Sequence, residues 1–77
     1  MNKLFKIEQD DVSGYDTYDS AVVCAVSEED ARCMYPGYRE NRGDDWTLDS
    51  SKVVVTYLGK ADKSLTIGVI CASFNAG

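Results

Sequence analysis

Between Tyr18 and Val26 the chain runs almost unbroken through apolar residues, with Ala21-Val22-Val23-Cys24-Ala25-Val26 at the heart of the run. Valine's branched β-carbon suits an extended, packed strand, and a strand lacking polar alternation reads as one covered on both faces. Such a strand belongs in the middle of a sheet. The chain has only 77 residues to build that cover, enough for one domain near the size at which a single core just offsets chain entropy. A large catalytic cleft is outside its reach. The run is also far shorter than the roughly 20 residues needed to span a membrane as a helix.

The flanking segments supply the rest of a small α+β domain. Lys3 to Glu8 alternates, which sends Phe5 and Ile7 to a core and Lys6 and Glu8 to water. Asp10 to Thr17 concentrates Asp, Ser and Gly and reads as a long hairpin connection. Ser27-Glu28-Glu29-Asp30 marks a helix start, with serine as N-cap and acids in the first turn, and Val26 is placed to pack on Ala31. Ala31, Met34 and Tyr35 share one face by their spacing, and Pro36-Gly37 closes the helix after roughly eight or nine residues, too few to be stable without packing on the sheet. Tyr38 to Ser51 shows neither period and reads as a long excursion. Lys52 to Leu58 is a β-branched strand ended by Gly59. Val69 to Phe74 is a last strand, with Gly68 at its entry or at a bulge. The expected fold is a four-stranded antiparallel sheet in β-β-α-β-β order with one short helix on one face. A helix about 14 Å long covers only part of a sheet roughly 15–19 Å wide. The other face then needs the long loop or a second copy of the chain, and a homodimer is the reading adopted.

Charge and residue types exclude several functions. Eight basic against thirteen acidic residues give a net charge of −5 and a pI near 4.4. Direct nucleic-acid binding is disfavoured, since affinity for phosphates comes from lysine and arginine, whereas a protein with a basic surface is a suitable partner. The absence of histidine removes the Ser-His-Asp triad, the Cys-His pair and histidine metal sites. Cys24, Cys33 and Cys71 are odd in number and lack C-x-x-C spacing, so they read as reduced, buried thiols rather than as a disulfide framework or zinc knuckle. Asp10-Asp11 and Asp44-Asp45 read as solvated loop acids, the scattered glycines match no phosphate loop, and no cofactor is called for. Met1 to Asp11 lacks the apolar core of a secretory signal, which points to the cytosol. The expectation is a protein that is not an enzyme.

Aromatic residues set among acids are the remaining signal. Tyr15, Asp16, Tyr18 and Asp19 alternate rings and carboxylates, and Asp44-Asp45 precede the only tryptophan, Trp46. Tyrosine and tryptophan bury much area with few rotors and keep a polar tip, which favours them at binding hot spots. Together with Glu28 and Glu29, beside Asp30, these residues form the candidate binding set for a basic partner. The competing reading has Trp46 anchoring its loop on the sheet and Tyr18 joining the core, with Tyr38, Arg39 and Arg42 available to pair with the acids inside the molecule.

The stretches Leu4 to Gln9, Tyr15 to Ala25 and Gly68 to Gly77 resemble a group of small proteins encoded by tailed bacteriophages. The likeness covers most of the chain, apart from the variable 36–51 region. It implies an accessory protein acting in the cytoplasm of an infected bacterial host, and brings no site residues with it. More loosely, the strand leading into Ser27-Glu28-Glu29-Asp30-Ala31-Arg32 is similar to the strand-to-helix step of small phage proteins, some anti-CRISPR inhibitors among them. The function this implies is inhibition of a host defence or nucleic-acid-handling complex by a protein-binding module. A self-associating or virion-associated structural protein and a small-ligand binder at a dimer interface are the alternatives.

Overall fold

Alternation in the first strand sets the phase of the whole core. In the computed structural model, which describes residues 2–37 and 43–75, β1 (Lys3–Glu8) buries Phe5 and Ile7 and turns Leu4, Lys6 and Glu8 to the opposite face. Strand β2 (Thr17–Ala25) pairs antiparallel with it, setting Val23 opposite Phe5 and Ala21 opposite Ile7. The helix α1 (Glu28–Arg32) follows, then a 3-10 turn (Ser50–Lys52), β3 (Val54–Lys60) and β4 (Gly68–Asn75). The sheet order is β3-β1-β2-β4, with every neighbouring pair antiparallel. Since β3 and β4 are the two edges, residues 61–67 must pass across one end of β1 and β2, and Ala61 N–H donates to the Asn2 carbonyl there. Among the described residues no helix is long and apolar enough to cross a membrane.

The main buried cluster lies on one face, and Cys24, opposite Leu4, is buried apart from it on the other. Phe5, Ile7, Ala21, Val23 and Ala25 come from the sheet, Ala31 from α1, and Trp46 and Val53 from the chain between α1 and β3. Tyr18, Met34, Tyr35 and Val55 pack around them. The described part of the long segment, 43–51, therefore packs through Trp46 on the same side as the helix, contrary to the expected arrangement in which it would cover the second face. The helix covers so little that this face needs Trp46 to complete it.

The α+β class and the antiparallel four-stranded sheet are as expected, while several details differ. The helix stops after five residues. Pro36 has no N–H to offer the Arg32 carbonyl and disfavours helical geometry at Tyr35, so the chain leaves α1 through three-residue turns, Cys33 to Asp30 and Met34 to Ala31. Ser27 caps it as predicted, its hydroxyl accepting from Asp30 N–H. β3 starts later than expected and continues through Gly59 to Lys60, because Gly59 adopts φ 148° beside a register shift in the β1 pairing. The polar excursion contains the 3-10 turn, capped by Asp49. All three cysteines are free; Cys24 is buried, but Cys33 and Cys71 are exposed, which corrects the expectation of buried thiols. Cys71 stands opposite Val22, which pairs with Lys6, so it lies on the sheet face turned away from the helical layer. Tyr38, Arg39 and Arg42 lie outside the described residues.

Candidate protein-binding surface

One end of the sheet is organised by a glutamine. Gln9 continues the inward alternation of Phe5 and Ile7 and is buried just beyond β1. Its amide nitrogen donates to the carbonyls of Val12 and Tyr18, both at 2.8 Å, and its oxygen accepts from Val12 N–H at 2.9 Å. One side chain thereby shapes the 10–16 loop and joins it to β2. The loop closes through a turn in which Thr17 Oγ1 donates to the Gly14 carbonyl at 2.8 Å. Asp16 sits at φ 61°, a left-handed conformation that Asp tolerates better than most residues. Its N–H donates to the Asn75 carbonyl, and Asn75 Nδ2 donates to Asp19 Oδ1 at 2.7 Å, so the end of β4 is fixed to the same loop.

The chain before β3 reaches this end too. Tyr18 N–H donates to the Asp45 carbonyl at 2.9 Å, and Thr47 Oγ1 donates to Asp11 Oδ2 at 2.7 Å. Asp49 accepts from the hydroxyl and N–H of Ser51, and those bonds, the hydroxyl first, hold its carboxyl below the ordinary value of 3.8, with a lesser contribution from Lys52. Asp10, Asp11, Asp16, Asp19, Asp44 and Asp49 are all exposed at this end, with the Tyr15 ring 81% exposed beside Phe74 and Asn75. A shallow groove lined by Glu8, Gln9, Asp10, Asp19, Lys52 and Val54 opens on the same end.

This arrangement unites part of the candidate set and divides the rest. Tyr15, Asp16, Asp19 and Asp44 share the acid-rich end, with Tyr18 half-buried, its ring 4.7 Å from that of Phe74. Trp46 and Asp45 must be removed from a partner-facing role. Trp46 is 1% exposed in the core, and buried Asp45 accepts a hydrogen bond from the Tyr35 hydroxyl. A large ring between two layers that would otherwise leave a gap goes inward, and its neighbouring carboxylate follows to meet the hydroxyl of half-buried Tyr35. Glu28 and Glu29 are exposed but stand at the opposite end of β2, roughly 25 Å away at 3.3 Å per strand residue. They complement the first turn of α1, where Glu28 also pairs with Arg32 at 3.7 Å.

Sequence reasoning missed two features of this surface. Gln9 was detectable, because it extends the alternation of Phe5 and Ile7 by one more inward position. The openness of β4 was not, because its apolar residues read as core. Val69, Ile70 and Phe74 are instead exposed, and no residue of β4 belongs to the buried cluster. No protein-family model, curated protein or solved structure matches the chain.

Proposed function

We propose that the protein is a noncatalytic binding module that presents its acid-rich end to a basic surface of a protein partner. The observation supporting this reading is the collection of six exposed aspartates at the end of the sheet that also carries Tyr15, on loops tied together by Gln9, Thr47 and Asn75. Fixed loops reduce the ordering entropy of association, negative potential steers a positive partner, and the tyrosine supplies area at its rim. As a phage accessory protein it would occupy the basic groove of a host defence or nucleic-acid-handling complex, in the host cytoplasm. The test is capture of purified nucleic-acid-handling complexes from a bacterial host on the immobilised protein, at low and moderate salt. Capture should weaken with salt, be displaced by DNA and be lost in Asp10→Asn/Asp11→Asn/Asp19→Asn and in Tyr15→Ala. Equal capture by the wild type and these variants would sink the reading.

A further inference from the structure

Strand β4 is an edge without the usual guards. Its sequence, Gly68-Val69-Ile70-Cys71-Ala72-Ser73-Phe74-Asn75, contains no charged residue and no proline, and every residue from Val69 to Phe74 is exposed. The other edge strand, β3, ends in Lys60 and is interrupted at Gly59. Edge strands normally carry charges, proline or a cover against pairing with another chain. The hydrogen-bonding phase of the free edge follows from the ladder. Gln9 N–H donates to the Asp19 carbonyl, so the odd-numbered residues of β2 from Asp19 onward face β1, and Ser20 and Val22 face β4. Their partners Ser73 and Cys71 then face β2. Ala72, and Phe74 at the next alternate position, turn their N–H and C=O groups outward.

We infer that β4 is the pairing edge of a homodimer, in which two copies join β4 to β4 antiparallel about a two-fold axis at Ala72 and form one eight-stranded sheet. The second irregularity of this ladder, at Asp19, puts its extra residue on β2, so β4 itself runs without interruption from the bulge at Ile70 to Asn75, and Ala72 is the outward-facing residue nearest the middle of that stretch. An axis there sets Ile70 opposite Phe74 of the second copy, twice, a β-branched and aromatic pair of the kind that stabilises neighbouring strands. Each of these side chains is 46% exposed in the single chain. A second copy suits this edge better than a basic partner because the strand carries no charge to attract one. The antiparallel arrangement also sends the two acid-rich ends in opposite directions, so a net charge of −5 per chain does little to oppose it. Pairing about six residues a side buries on the order of 1,000 Å², near the lower limit for a specific interface, which sets association in the micromolar range. The inference goes beyond the proposed function and leaves the acid-rich end of each copy free.

Sedimentation equilibrium from about 1 to 500 µM should show mass rising toward twice the 8.5 kDa of the chain. Ile70→Lys, at an exposed position, should raise the dissociation constant at least about tenfold with an unchanged circular dichroism spectrum. In the Ala72 register Cys71 faces residue 73 of the second copy in a closely spaced pair, so Ser73→Cys should form a disulfide-linked dimer on mild oxidation, lost when Cys71→Ser is added. The cross-link decides the matter if Ile70→Lys fails to fold. A single-chain mass throughout, a dimer indifferent to Ile70→Lys, or ready Cys71-to-Cys71 cross-linking of the wild type in place of the Ser73→Cys product would each overturn the inference. Capture of a basic partner by monomeric Ile70→Lys would leave the proposed function standing, and loss of capture in the aspartate variants would leave the dimer standing.

Discussion

Replacing Trp46 by alanine tests whether the long segment before β3 is part of the core or a surface device. The indole is almost wholly buried, in contact with a cluster drawn from β1, β2, α1 and Val53. An aromatic of this size buries up to about 250 Å², which at 25 cal/mol per Å² sets an upper estimate near 6 kcal/mol. Partial collapse of the surrounding segment brings the expected loss to about 3–5 kcal/mol, the range seen for large aromatic truncations. A chain of 77 residues has roughly 4–12 kcal/mol of stability in all, so the variant should lose about a quarter or more of it. Urea unfolding is followed by far-ultraviolet circular dichroism, because the substitution removes the only tryptophan. With a slope near 1 kcal/mol per molar urea for a small domain, the midpoint should fall by about 3–5 M, or the variant should be unfolded without urea. A midpoint within about 0.5 M of wild type would show that the ring carries no core packing, and would return Trp46 to the list of candidate contacts.

Gln9→Ala leaves three main-chain groups without their partner and should lower stability by about 2–3 kcal/mol in urea titration, while opening the 10–16 loop to proteolysis; a loss below about 0.5 kcal/mol would show that water replaces the amide freely. Asp16→Val should cost about 1–2 kcal/mol because a β-branched residue resists the left-handed conformation, whereas Asp16→Gly should change the melting temperature little; equal losses would place the role of Asp16 in its side chain instead. The Asp49 carboxyl is held below its unfolded value of 3.8, so its contribution is complete above that value and is lost as pH falls through the lower folded value. Asp49→Ala should therefore melt below wild type at about pH 6, with a gap that closes under acid, and a gap independent of pH would contradict the Ser51 hydrogen bonds as its source.

What was legible in the sequence was whatever local chemistry determines. Alternation placed Phe5 and Ile7, β-branched content placed the strands, and Ser27 with its following acids placed the helix start. The helix end was misplaced because the i, i+3, i+4 pattern of Ala31, Met34 and Tyr35 does satisfy the core, through a turn rather than through helix. Apolar character also cannot distinguish a strand under the helix from one beyond it. Val23 and Val69 stand opposite each other in the sheet, yet the first is fully buried and the second is 40% exposed, a difference set only by where the single covering layer stops. The candidate site failed in the same way for Trp46 and Asp45. Their neighbour Asp44 is exposed, and the direction of each side chain depends on the gap left by a helix shorter than its sequence pattern suggests.

That shortage of cover links fold to function. A five-residue helix and one indole ring cover the core face over β1, β2 and the start of β3, which leaves β4 attached to the sheet through β2 alone. The polar loops are meanwhile tied down at the far end of β1 and β2 by Gln9, Thr47 and Asn75, so the acids there are held at the surface and cannot retreat. Two surfaces result, with different chemistry and different directions: an uncharged edge suited to its own copy and an acid-rich end suited to a basic partner. If both are used, a dimer offers two acidic ends facing away from each other, and a partner bearing two basic sites within reach would be bound by linked contacts. Binding to such a partner should then fall more steeply for Ile70→Lys than binding to a partner with one basic site, although the substitution touches neither acidic end. Equal losses for the two kinds of partner would separate the edge from the function of the end.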